Sequence, residues 1–207
     1  MALVQAVWKG NQKAVHLLRW AGADWHIKVP LLEWRNPETP DNEEDLRSAA
    51  HTAVGNGDGT LLKILPLDPA RDAVEEMWTD VRDAVSVDCL FAVGPPTDWS
   101  PAILRNLALI ANNVFTDWTD RCRQCLQRIA FHGGRLTSAD ASQRTLLRQA
   151  IIRMDRSDAR RWLLYWLSNP RHCDPDIYAD LVRTPKMREI LGASGLGQPA
   201  CKGRNVR

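Results

Sequence analysis

Long apolar runs are missing from this 207-residue sequence. No stretch approaches the roughly 20 apolar residues that cross a bilayer as a helix, so a helical membrane span is excluded. The first residues, Met1 to Trp8, lack the basic, apolar and small-residue regions of a secretory leader. A cytoplasmic location is therefore expected. Cysteine is sparse and odd in number: Cys89, Cys122, Cys125, Cys173 and Cys201. Their irregular spacing excludes a disulfide framework. No alternating apolar and polar run flanks a tight Asn-Gly or Asp-Gly turn, so no β architecture is expected. Catalytic signatures are missing as well. There is no HExxH, nucleophile elbow, Walker loop or Gly-rich dinucleotide turn. None of His16, His26, His51, His132 and His172 pairs with another at helical spacing. Glu75, Glu76, Asp80 and Asp83 alternate with apolar positions and read as a solvated helix face. No enzymatic activity and no cofactor are expected.

What is present is ordinary for a folded soluble domain: 44% hydrophobic and 25% charged residues. Aromatic usage is skewed, with nine Trp against two Tyr and three Phe. Tryptophan suits half-buried positions and interface hot spots, because a large apolar body carries one N–H to satisfy. The net charge of +2 conceals a division. Residues 1–100 carry a net −7 and residues 101–207 a net +9. Such a dipolar molecule can steer an acidic partner toward its second half.

The chain also repeats itself. Residues 2–11 place Leu3, Ala6 and Val7 at helical spacing and end at Gly10-Asn11, a turn between antiparallel helices. Ala14, Val15, Leu17 and Leu18 then share one face, and Gly22 stops the second helix. Ala6, Gly10-Asn11, Val15, Leu17-Leu18 and Gly22-Ala23-Asp24 resemble one ankyrin repeat over about 28 residues. The threonine-proline-leucine-histidine opening of that family is absent. A second copy lies 47 residues on, where AVGNGD (53–58) aligns with AVWKGN (6–11) and Ile64-Leu65 falls where Leu17-Leu18 fell. The family period is 33 residues. The excess lies in the Pro-, Asn- and acid-rich 33–45, which reads as an extended finger whose Asp41 or Asn42 caps the next helix.

Periodicity predicts a helix over 72–84, with Val74, Met77, Trp78, Val81 and Val85 on one side, then a short apolar helix ending at Gly94. Ser100-Pro101 reads as an N-cap and first helical position. Further helices are expected over about 117–131, 142–155 and 157–169, with two short ones around Thr184-Pro185. The segment 145–150 is similar to the ankyrin opening, with Leu for Pro and Arg for His. The expected fold is all-α: an ankyrin-like solenoid of about five or six stacked helix pairs over 1–191, followed by a flexible tail over 192–207.

The resemblance implies a protein–protein interaction module. Degenerate Arg-rich repeats suit a bacterial or phage inhibitor, immunity or adaptor protein holding one partner protein. The finger-like positions Trp25, Trp34 and Trp99, with Arg121, Arg123 and Arg135, are the expected partner contacts. An acidic protein partner would match the ten arginines between 121 and 161. Nucleic-acid binding by the same stretch is the alternative, since guanidinium forks suit phosphate and indoles stack on bases. Self-association through the N-terminal end is also expected, because a stack that opens inside a helix lacks a polar cap. Cys122 and Cys125 could supply two zinc positions, with His132 or His172-Cys173 completing the set. A lone CxxC inside an amphipathic helix reads instead as small, partly buried core residues, and no metal is expected.

Overall fold

The computed structural model describes residues 1–30, 46–112 and 116–195. Helices α1 (Ala2–Trp8) and α2 (Gln12–Trp20) are joined by Gly10, at φ 65°. The amides of Gly10 and Asn11 donate to the carbonyls of Val7 and Ala6, both at 2.9 Å. Asn11 then caps α2 by accepting from the Ala14 amide. Forty-seven residues later the backbone repeats this turn. Helix α3 (Ala49–Gly55) ends with Gly57 at φ 66°, and the amides of Gly57 and Asp58 donate to Val54 and Ala53, both at 3.0 Å. A side chain is strained at either glycine, which explains why glycine stands in both copies. Asn56 ties the two turns together, because its Nδ2 lies 3.4 Å from the Val7 carbonyl and 3.3 Å from that of Trp8.

The copies then diverge. Where α2 stands in the first, the second has only the 3-10 turn Gly59–Lys63, and Ile64 falls just past its end. Between the copies, β1 (Val29–Pro30) pairs antiparallel with β2 (Leu46–Arg47), Val29 facing Arg47. This is the one strand pair among the described residues. The expected finger over 33–45 and its caps Asp41 and Asn42 lie outside the described residues. The N-cap of α3 is Ser48, whose Oγ accepts from the His51 amide.

The helix expected over 72–84 ends early, and the short apolar helix expected after it begins sooner. Helix α4 (Val74–Asp80) stops at Val81, which is extended (ψ 132°), and α5 (Ala84–Val93) starts anew. Two side chains cause the break. Asp83 accepts from the amides of Val85 and Ser86, the cap geometry that competes with helix continuation. The buried Asn106 draws the Val81 carbonyl out of line by donating to it at 2.8 Å. The Ser100 cap expected for α6 (Ser100–Asn112) is also corrected. Its Oγ faces another segment and accepts from the amides of Thr137 and Ser138, while Asp98 accepts from the Ser100 amide.

Helix α7 (Thr116–Phe131) follows. Helix α8 (Ala141–Arg153) opens on a capping box between Asp140 and Gln143. After α9 (Ser157–Ser168), the short helices α10 (Pro175–Leu181) and α11 (Pro185–Ala193) are capped by Asp174 and Thr184, each with Pro in the first turn. Leu136 bridges to the segment before α10, its amide donating to His172 and its carbonyl accepting from Asp174. The described residues are thus all-α apart from the small ribbon. Packing runs stepwise along the chain: α1 on α2 and α3, α3 on α4, α4 on α5 and α6, α5 and α6 on α7, α6 on α8 and α9, and α8 on α10 and α11. One apolar core runs through it, including Leu61, Trp78, Leu107, Leu126 and Ile151.

Gly59 is set by space rather than by dihedral angle. A Cβ there would stand 2.4 Å from the Ser86 amide nitrogen and 2.6 Å from the Asp83 carboxylate. Both belong to the capped start of α5 and cannot retreat cheaply. Gly59→Ala is expected to destabilise the protein by about 1–3 kcal/mol, the usual range for overpacking. A urea midpoint equal to that of the unsubstituted protein would contradict this.

Candidate functional site

The expected contact residues have different fates. Trp25 is half-buried at the exit of the first repeat. Its Nε1 donates to the Pro66 carbonyl at 3.1 Å, its ring sits 5.0 Å from His26, and Arg19 lies 5.5 Å from its centroid. The adjoining Asp24 accepts from the His26 amide and pairs with Arg71. These two bonds hold its carboxyl below the usual range, the His26 amide contributing most. The repeat exit is therefore clamped to the 66–72 segment, where Asp72 binds His26 Nδ1 at 2.9 Å. Trp34 lies outside the described residues. Trp99 packs inward, edge-on to Trp78 at 4.9 Å and 6.3 Å from Phe91.

The arginines divide in the same way. Arg123 is tied to Asp120 and Asp158 and lies 5.4 Å from the Trp162 centroid. Arg135 faces Asp174 at 3.5 Å. Arg128 pairs with Asp88, Arg144 and Arg148 with Asp180, and Arg156 with Asp158. Arg121 is exposed, and among the described residues no carboxylate pairs with it.

Arg121 borders an open cleft of about 630 Å³ where three turns meet α7. The turns are Trp8–Gly10, Asn56–Thr60 and Asp83–Val85, and α7 contributes Trp118, Arg121 and Gln124. The guanidinium carbons of Arg82 and Arg121 lie 5.7 and 6.0 Å from the Trp118 ring centroid. Burial, with the nearby Arg105 charge, pulls the Arg82 guanidinium below its usual value, against the opposing pull of Asp80.

A second surface was not anticipated. Leu17, expected on the buried face of α2, is 66% exposed, and Trp20, one turn further along the same side, is 88% exposed. Val15 instead faces the core, with Ala14 and Leu18 partly buried. The signal was legible as apolar residues on two sides of a nine-residue helix, which one packed neighbour cannot cover. Ile27 and Leu46, at the outer end of the chain's first half, are also exposed.

Of the acidic residues read as a solvated face, Glu75 and Glu76 are exposed, but the two aspartates are not. Asp80 and Asp83 are buried. Asp80 on α4 receives Arg47 from β2 at 3.0 Å, Arg105 from α6 at 3.0 Å and His51 from α3 at 3.1 Å. Burial pushes its carboxyl up, but the His51 hydrogen bond and the two arginine charges prevail and hold it at about 2. This hub joins four elements and is structural.

Cys122 and Cys125 are both buried on α7, and burial pushes the Cys122 thiol up to about 11 and raises that of Cys125 well above its ordinary value. His132 binds Asp88 at 2.8 Å and stacks on Phe91 at 4.0 Å. Among the described residues no three His, Cys, Asp or Glu side chains gather as metal ligands. No helix among them is long and apolar enough to cross a membrane. Compared with protein families, curated proteins and solved structures, the chain matches none.

Proposed function

We propose that this chain is a protein-binding module, a degenerate ankyrin-like solenoid that holds one partner protein against its N-terminal end. One observation carries the reading: Leu17 and Trp20 present a large apolar surface to solvent on one side of α2. Folded proteins rarely leave a tryptophan 88% exposed beside a leucine without a surface to cover it. Support for the solenoid comes from the turns at Gly10 and Gly57, alike in dihedral angle and hydrogen bonding and tied by Asn56. The stepwise packing of helices is the nearest-neighbour pattern such a stack requires. The carboxylates on Arg123, Arg128, Arg135, Arg144, Arg148 and Arg156 favour this reading over nucleic-acid binding. Arginines neutralised within the fold release few counterions from a phosphate backbone. The role is binding, with no catalytic step.

The test is capture of a partner from native lysate after nuclease and high-salt treatment, with the unsubstituted protein and a Leu17→Ser, Trp20→Ser double variant. Both positions are exposed, so the variant is expected to unfold at the same urea concentration while losing the partner at least tenfold. Equal capture by both, or recovery of nucleic acid alone, would overturn the reading. A second copy of the chain is the other candidate occupant. A clean monomer by light scattering at high concentration would dismiss it.

A further inference from the structure

We propose that the exposed face of α2 takes an amphipathic helix of the partner protein, one whose apolar stripe is flanked by carboxylates. This rests on the binding-module reading and adds the chemistry of the partner to it. On α2, Lys13, His16, Leu17 and Trp20 follow one another at helical spacing and are all exposed. Lys13 stands one turn before Leu17. Arg19 adjoins Trp20, with its guanidinium carbon 5.5 Å from the Trp25 ring centroid. Trp25 is itself anchored to the Pro66 carbonyl, so the Arg19 charge is held beside the patch.

Charge selects the partner. Residues 1–23 hold Lys9, Lys13 and Arg19 and no Asp or Glu, within a half of the chain that is net −7. The first acid, Asp24, pairs with Arg71. Among the described residues no carboxylate pairs with Lys13 or Arg19. The face is therefore apolar in the middle and cationic at its flanks, with no negative side chain on its own helix pair. Its complement is an apolar stripe with acids on either side. The helical form of the partner follows from packing. Helix α2 packs chiefly on α1, and the stretch from Lys13 to Trp20 runs about 10 Å along its outer side. A helix laid across it covers Leu17 and Trp20 together, as helices cover one another elsewhere in this fold. A second copy fits worse, because a two-fold pairing of this face sets Lys13 and Arg19 of one chain toward those of the other.

The experiment is fluorescence anisotropy at low salt, with the full chain and two labelled model helices built on leucine and alanine. Both carry the same leucine stripe, flanked by glutamate in one and by lysine in the other. The expected result is saturable binding of the glutamate helix, at least tenfold tighter than the lysine helix. Leu17→Ser with Trp20→Ser should weaken it at least tenfold, and so should Lys13→Glu with Arg19→Gln. Lys13 lies in the first turn of α2, where an acid suits the positive helix end. Lys13→Glu alone therefore keeps the fold and should still weaken binding at least threefold. Arg161→Glu, an exposed position on α9, should change it less than twofold. Four results would overturn the proposal. The first is no binding of the glutamate helix, and the second is equal binding of the two helices. The third is binding to phosphatidylserine vesicles that Trp20→Ser abolishes and the glutamate helix cannot displace, which would assign the face to a membrane. The fourth is binding at least tenfold tighter once residues 31–45, with their six acids, are replaced by Asn-Gly. That would make the chain's own segment the occupant. If the lysate partner is lost with Leu17 and Trp20 while the glutamate helix shows no preference, only the acidic assignment falls. If the glutamate helix binds at Lys13 but no protein is captured, the module reading falls.

Discussion

Replacing Asp80 by alanine is expected to cost about 3 kcal/mol, the lower end of what breaking a buried ion pair costs. The loss arises because His51, only 9% exposed in its side chain, would keep its ring nitrogen away from water with no acceptor. Arg105 is 42% exposed and can return to solvent, which limits the damage. The same hub predicts an acid limb of stability. The folded carboxyl titrates at about 2 against 3.8 for an ordinary aspartate. A group whose pKa is depressed by folding contributes fully above its unfolded pKa, and the contribution fades as pH falls through the folded one. Close to 2 pKa units corresponds to about 2 kcal/mol, present above pH 4 and gone near pH 2. Urea midpoints between pH 5 and pH 2 should therefore fall more steeply for the unsubstituted protein than for Asp80→Asn. Parallel slopes would show that the hub does not depend on this charge.

The second large effect is expected at Trp78. It is 2% exposed, its Nε1 donates to the Gly94 carbonyl at 3.2 Å, and Trp99 stands edge-on to it at 67°. Trp78→Ala removes the largest fully buried side chain of the core and leaves an acceptor unpaired, so about 3–5 kcal/mol should be lost. Trp78→Phe keeps most of the volume and should lose less than half as much. Chemical unfolding of both variants checks the order. A loss below about 1 kcal/mol for alanine would mean that the neighbouring segments collapse into the space.

Local signals were read well and distant ones poorly. The turns at Gly10 and Gly57, the stop at Gly22 and the paired helices after residue 100 follow from spacing and from glycine. The break at Val81 does not, because it depends on Asn106, which reaches the Val81 carbonyl from 25 residues away. Ser100 has the residue type of a cap, yet its hydroxyl is taken by amides 37 and 38 residues on. Asp80 looked solvated because its partners, Arg47, His51 and Arg105, come from three other elements. The arginine run looked like a free cationic surface for the same reason. Three of its five carboxylate partners, Asp88, Asp174 and Asp180, lie more than ten residues outside 121–161, and that sequence pattern could not reveal them. Leu17 was assigned inward because apolar residues usually are, and α2 has too few neighbours to follow the rule.

The ribbon after the first copy holds the two residues that flank 31–45 against each other. Pro30 and Leu46 are cross-strand partners, so a two-residue hairpin turn could link them directly. Exchanging the 15 residues from 31 to 45 for such a turn shortens the 47-residue spacing to 34. The segment 31–45 thus accounts for most of the extra spacing between the two copies. The residues that flank it already sit side by side, so its length can change without altering how one helix packs on the next.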